Sequence, residues 1–214
     1  MIVMGPPGAG KGTQARLLQE RFDVPHISSG DLLRDAVKRK TAMGLRAKRY
    51  MDRGELVPDD ILLGAIEERL RRNDCARGFI LDGFPRTVAQ AEALSAILAA
   101  MDTKIDHVTS INVPQEELVK RLSGRRTCRE CGAMYHIIFD PPSNPGICNK
   151  CNGELYQRDD DQEDTILARL DVYERQTAPL LKSYRQRGLL HDVDGVGSPD
   201  HVNTRILSQV QAHA

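Results

Sequence analysis

The 214 residues include 40% hydrophobic and 28% charged side chains, proportions of a folded globular chain that argue against intrinsic disorder and suit one body with inserted segments. Thirty Lys and Arg balance thirty Asp and Glu, which argues against a protein that coats nucleic acid electrostatically. The longest stretch without Asp, Glu, Lys or Arg is the first ten residues, short of the ~20 a bilayer helix needs, and no secretory pattern opens the chain; a cytoplasmic protein without a membrane partner is expected.

Ile2-Val3-Met4 predicts a strand that runs into Gly5-Pro6-Pro7-Gly8-Ala9-Gly10, a loop of residues tolerant of unusual backbone angles. Leu17, Leu18 and Phe22 recur at helical spacing, so a helix starts at Lys11. His26-Ile27 is a second strand, and Ser28 or Ser29 caps a helix beginning near Asp31. From Arg34 to Arg53 eight basic residues stand against Asp35 and Asp52, a helical pair that is either a solvated face or the wall of an anion site. Pro58 opens a further helix to about Arg72.

Phe79-Ile80-Leu81 is a buried strand that ends in Asp82-Gly83-Phe84-Pro85-Arg86. A helix over about 87–101, a strand over 108–113 and a helix from Pro114 to about Leu122 follow. Residues from about Gly124 to Asp164, rich in Gly, Pro, Asn, Cys and charge, break the alternation and are expected to be irregular. Helical patterning resumes through Leu167, Leu170, Tyr173 and Leu180-Leu181, then come a strand over 189–193 and a helix after Ser198. Alternating strands and helices predict an α/β fold with a parallel sheet flanked by helices, which binds ligands at the carboxyl ends of its strands.

Two such ends carry chemistry. Gly5 to Thr13 has Walker-type spacing: a nest of backbone N–H groups at a helix N-terminus surrounds phosphate oxygens, Gly8 and Gly10 permit close approach, and Lys11 bridges the outer phosphates. The strict pattern puts Ser or Thr directly after lysine, but Gly12 stands there, so Thr13 is the nearer hydroxyl. Asp82, directly after a buried strand, is where a P-loop protein places the carboxylate for Mg²⁺.

Four of five cysteines lie within 24 residues, as Cys128-x₂-Cys131 and Cys148-x₂-Cys151. This is the spacing of a four-thiolate zinc ribbon, which leaves no open coordination position, so the metal is structural. Iron and a pair of redox dithiols are the competing readings, and Cys75 is an ordinary packed or surface thiol.

GPPGAGKGTQ (5–14), ISSGDLLR (27–34), DGFPRT (82–87), Gly124-Arg125-Arg126 and RDDDQE (158–163), in that order, closely resemble the adenylate kinase family along essentially the whole chain. Gly12 after the lysine is a feature of that family. The resemblance implies ATP + AMP ⇌ 2 ADP with Mg²⁺, a P-loop core of 1–27, 58–123 and 162–214, an AMP-binding insertion of 28–57, and a zinc-binding lid of 124–161 of the kind found in many bacterial members. Gly8, Ala9, Gly10, Lys11, Gly12 and Thr13 would hold the ATP phosphates, Arg121 and Arg125 would be the ATP-side arginines, and Met134, Tyr135 and Gly197 would lie near the adenine. Ser29, Arg34, Gly83, Phe84, Pro85, Arg86 and Gln90 would hold AMP, with Glu55, Leu56 and Val57 lining its base and sugar pocket. Arg158 and Arg169 would reach AMP and the transferring phosphoryl group. Position 29 is commonly Thr in the family, and Phe84-Pro85 matches a cis peptide there. The nucleophile, an AMP phosphate oxygen, is already anionic, so a catalytic inventory of Lys11, Arg86, Arg121, Arg125, Arg158, Arg169 and Mg²⁺ matches a reaction that needs charge neutralisation rather than a base. The partners are then ATP, AMP and ADP, and a monomer is the default. A UMP or CMP kinase and a non-catalytic nucleotide sensor are the alternatives; zero net charge and few aromatics argue against a nucleic-acid-binding ATPase.

Overall fold

The computed structural model describes residues 1–212. Its strands are β1 (Ile2–Met4), β2 (His26–Ser28), β3 (Ile80–Asp82), β4 (Val108–Asn112), β5 (Arg125–Cys128), β6 (Met134–His136), β7 (Leu155–Tyr156) and β8 (Leu190–Asp194). The helices are α1 (Lys11–Phe22), α2 (Ser29–Lys38), α3 (Ala42–Met51), α4 (Asp59–Leu70), α5 (Val88–Ala99), α6 (Gln115–Ser123), α7 (Glu163–Val172), α8 (Ala178–Gln186) and α9 (Pro199–Ala212).

Five strands form a parallel sheet in the order β2-β3-β1-β4-β8, with Ile2 opposite Leu81 and Val108. Side chains alternate across it, as the period of two demands. Ile2, Leu81 and Val108 join the core beneath α4, α5 and α8, while Val3, Ile80 and Ile111 join the core beneath α1, α6, α7 and α9. Both faces are covered, which is why the strands read as apolar runs. The first helix turns Leu18 inward but leaves Phe22 at its end 39% exposed, so that residue does not belong to the core that its spacing suggests.

Caps settle several boundaries. Ser28, not Ser29, caps α2, its Oγ accepting from the Asp31 N–H at 3.2 Å; Thr87 caps α5 through the Gln90 N–H at 3.1 Å. The stretch expected to be irregular contains order: β6-β5-β7 form a small antiparallel sheet, with Arg126 opposite Tyr135 and Cys128 opposite Leu155. Its own buried cluster is Cys128, Ala133, Tyr135, Cys148 and Leu155. The helix expected through residues 167–181 is interrupted at Tyr173–Thr177 by a π-helical turn. Pro179 has no N–H to give the Arg175 carbonyl, and the wider turn accommodates that gap. Among the described residues no helix is long and apolar enough to cross a membrane.

Candidate active site

The loop between β1 and α1 lies at the carboxyl edge of the sheet and is shaped by its glycines. Gly5 (φ +140°) sits so close to β4 that a Cβ would stand 2.6 Å from the Ile111 carbonyl oxygen. Gly8 (φ +85°) packs on α6, where a Cβ would meet the Leu118 carbonyl oxygen and Leu122 Cγ, each at 3.0 Å. The Lys11 Nζ turns back over the loop and donates to the carbonyls of Gly5 and Pro6, both at 2.9 Å. Burial lowers Lys11 to about 8; Asp82 opposes that shift, and Arg86, Arg169 and Arg125 add to it.

Two cavities meet at this loop. The larger, about 640 Å³, is lined by Gly8 to Thr13, Asp82, Arg121, Arg125, Met134, Tyr135, Arg158 and Gly197. That volume lies within the range of small-molecule sites, roughly 300–1,000 Å³. The narrower is lined by Ser29, Glu55 to Val57, Phe84, Pro85 and Gln90, with Tyr173 and Thr177 brought in by the π-helical turn. Lys11, Arg34, Gly83, Arg86 and Arg169 line both, so the boundary between the cavities carries four cations. Every nucleotide-site residue expected from the sequence therefore lines one cavity or the other.

The cations are unequally paired. Arg125 makes a two-pronged bond to Asp161 at 2.6 and 2.8 Å, and Arg169 reaches Asp161 and Asp160, each at 3.1 Å. Arg34 pairs with Asp31 at 2.7 Å. Arg121 binds Glu117 and the Gly195 carbonyl, both at 3.1 Å. Arg86 and Arg158 have no carboxylate ion partner among the described residues: Arg86 Nε donates to the Gly83 carbonyl at 2.7 Å and Arg158 Nε to Thr127 Oγ1 at 2.9 Å. Burial, then repulsion from Arg169, brings Arg86 down to about 10; burial, then Arg34 and Arg125, brings Arg158 to about 9. Asp160 is held below the usual carboxylate range, because Arg169 and its neighbours outweigh the opposing effect of burial.

Several expected contacts prove to be engaged within the protein. Ser29 Oγ donates to the Gly83 carbonyl at 2.6 Å, leaving it an acceptor. The Gln90 carboxamide accepts from the Arg86 N–H at 2.7 Å and donates to Asp59 at 2.6 Å. The Glu55 carboxylate pairs with Arg53 at 2.7 Å. Tyr135 turns its hydroxyl into the cysteine cluster, 3.4 Å from Cys148 Sγ, and accepts from the Asn149 N–H at 2.9 Å. The Phe84–Pro85 peptide is cis. Sequence reasoning assigned no role to Asp31, Asp160, Asp161, Glu117 or His136. His136 Nδ1 accepts from the N–H groups of Ile138 and Phe139, so its other nitrogen faces the Lys120 carbonyl as donor at 3.2 Å. The neighbouring Gly124 leaves the space this ring fills, since a Cβ there would lie 2.3 Å from it.

Both expected metals meet suitable donors. Asp82 is 9% exposed, borders the phosphate loop and stays ionised: burial works against its charge, but His26 and Lys11 outweigh it and lower its pKa. A hard-oxygen donor at that place fits Mg²⁺. The sulfurs of Cys128, Cys131, Cys148 and Cys151 lie within 4.8 Å of one another, with 3.5 Å between the first and last and 3.6 Å between the middle two. These spacings are far longer than a disulfide of ~2.05 Å and match the edges of a tetrahedron with Zn–S bonds of ~2.3 Å.

A family model described as adenylate kinase matches residues 3–189. The curated relatives named adenylate kinase include one from Geotalea uraniireducens, 58% identical over 211 residues that cover 99% of this chain and 97% of the relative. Another, from Archaeoglobus fulgidus, is 56% identical over 91% of this chain and 90% of its own. A third, from Carboxydothermus hydrogenoformans, is 54% identical over 99% of both.

Proposed function

The chain belongs to the adenylate kinase family, whose members transfer phosphoryl groups between nucleotides, and on that premise we propose that it interconverts Mg·ATP plus AMP and two ADP. ATP occupies the larger cavity and AMP the narrower one. One observation carries this reading: Lys11, Arg34, Arg86 and Arg169 line the boundary shared by both cavities. Two polyphosphates repel each other, and cations between them make an in-line approach feasible.

In this reading the amides of Gly8 to Thr13 and Lys11 bind the ATP phosphates, with Arg121 and Arg125 on the ATP side. Arg34 and Arg86 bind the AMP phosphate. Arg158 and Arg169 reach across to the transferring group, where planar forks suit phosphate oxygens. Ser29 and Gln90 act as acceptor and donor that are already held in place, and Leu56 and Val57 supply an apolar wall. The attacking AMP oxygen is anionic, so no side chain takes a proton. Asp82, with Thr13 beside the loop, would hold Mg²⁺, which when bound neutralises charge on the outer phosphates.

Residues 28–57 and 124–161 act as covers that exclude water, which would otherwise accept the phosphoryl group. They meet directly where Lys38 Nζ donates to the Arg129 carbonyl at 3.0 Å. Cys128, Cys131, Cys148 and Cys151 would hold a zinc ion, which would supply the second cover with a cross-link between its two halves. The protein acts as a monomer in the cytoplasm and serves adenine nucleotide balance.

ADP formation from Mg·ATP against AMP, UMP, CMP and GMP tests the proposal. Turnover confined to AMP supports it, preference for a pyrimidine monophosphate overturns the substrate, and ATP binding without transfer overturns the kinase in favour of a sensor.

A further inference from the structure

His26 opens β2, the edge strand, opposite Ile80, and two residues on Ser28 faces Asp82. Residues two apart on a strand share a face, so the imidazole lies on the same side of the sheet as the Asp82 carboxylate. Its side chain is 8% exposed, and Nε2 stands 3.4 Å from Asp82 Oδ2. That Nε2 is the one buried side-chain nitrogen or oxygen without a hydrogen-bond partner among the described residues. A buried orphan donor is costly, so its nearest acceptor is its natural target. Asp82 borders the larger cavity and His26 does not, which places the ring behind the carboxylate and out of reach of a nucleotide.

We propose that His26 is a positioning residue for Asp82, its Nε2–H restraining the carboxylate so that it faces the divalent cation that accompanies ATP. The proposal rests on the assignment of Asp82 to Mg²⁺. It requires no change of charge, since a neutral imidazole carrying its hydrogen on Nε2 already donates. Partners that orient a metal-side carboxylate through hydrogen bonds commonly change metal affinity about ten-fold or more when removed.

The test is calorimetric. Binding of a non-hydrolysable ATP analogue is measured with and without Mg²⁺ for the intact protein and for His26→Leu, His26→Gln and Asp82→Asn, with thermal unfolding of each and the Mg²⁺ dependence of kcat alongside. The expected result for His26→Leu is a roughly ten-fold smaller Mg²⁺-dependent gain in affinity, with metal-free binding unchanged. His26→Gln, which keeps a donor, should retain the gain. A wild-type gain in His26→Leu beside a lost gain in Asp82→Asn overturns the role of His26 alone. Equal losses in the Leu and Gln variants, or metal-free and metal-dependent affinities falling together, overturn it in favour of simple packing. An undiminished gain in Asp82→Asn overturns the metal assignment and this proposal with it.

Discussion

Replacing Lys11 by Met should slow catalysis severely and yet stabilise the nucleotide-free protein. Lys11 is lowered from 10.5 to about 8 chiefly by burial, and at ~1.4 kcal/mol per pH unit the charged form carries at most about 3 kcal/mol of unfavourable free energy below pH 8. Met keeps the length and apolar stem but loses two hydrogen bonds to the Gly5 and Pro6 carbonyls, worth about 1 kcal/mol each. The net gain is about 1 kcal/mol, or ~3 °C in Tm for a chain of this size. Differential scanning calorimetry of the nucleotide-free proteins at pH 7 measures it, while kcat should fall by about 10³. The pH dependence supplies a second check. Between about 8 and 10.5 the unfolded chain binds more protons at this lysine than the folded one, so the intact protein gains stability with rising pH. The advantage of the Met variant should therefore fade across that window. A variant less stable than the parent at pH 7, or an advantage that grows toward pH 10, refutes desolvation as the dominant effect on Lys11.

Two further outcomes follow from the same geometry. Removal of zinc by a chelator, verified by elemental analysis, should expose residues 124–161 to limited proteolysis while the core remains resistant, because two of the five residues in that segment's buried cluster are cysteines of the metal site; unchanged protection after complete metal loss would contradict a structural role. Gly8→Ala should cost about 2 kcal/mol, near 5 °C in Tm, since Ala is strained at φ +85° and its Cβ presses on Leu118 and Leu122 of α6. The same shift displaces Arg121, so kcat should fall with it, and a variant of native Tm and rate would show that α6 yields freely.

Features written in a few consecutive residues were legible from sequence. The phosphate loop needs its glycines at fixed offsets, Asp82 follows a strand of unbroken apolar residues, and each Cys-x₂-Cys pair forms its own knuckle. The small sheet was not legible, because Arg125-Arg126-Thr127-Cys128 shows no apolar alternation; its strands are organised by a cysteine cluster whose halves lie twenty residues apart. Partner choice was equally hidden. Nothing near Arg125 announces Asp161, 36 residues away, and Ser29 and Gln90 gave no sign that Gly83, Arg86 and Asp59 would engage their polar ends. The π-helical turn had a visible cause in Pro179, but helical spacing on both sides concealed it.

With Arg125 and Arg169 assigned to phosphate as proposed, Asp160 and Asp161 would make nucleotide binding an exchange of anions. Arg125 and Arg169 do not wait in water for phosphate; they are already neutralised from within. Under the proposed function an arriving phosphoryl group would compete with a tethered carboxylate, so affinity would reflect the difference between two similar charge-assisted contacts rather than the full strength of one. When product leaves, these two guanidiniums would regain their aspartates rather than face water bare. A reversible enzyme must bind both sides of its equilibrium without trapping either, and two adjacent aspartates supply that restraint.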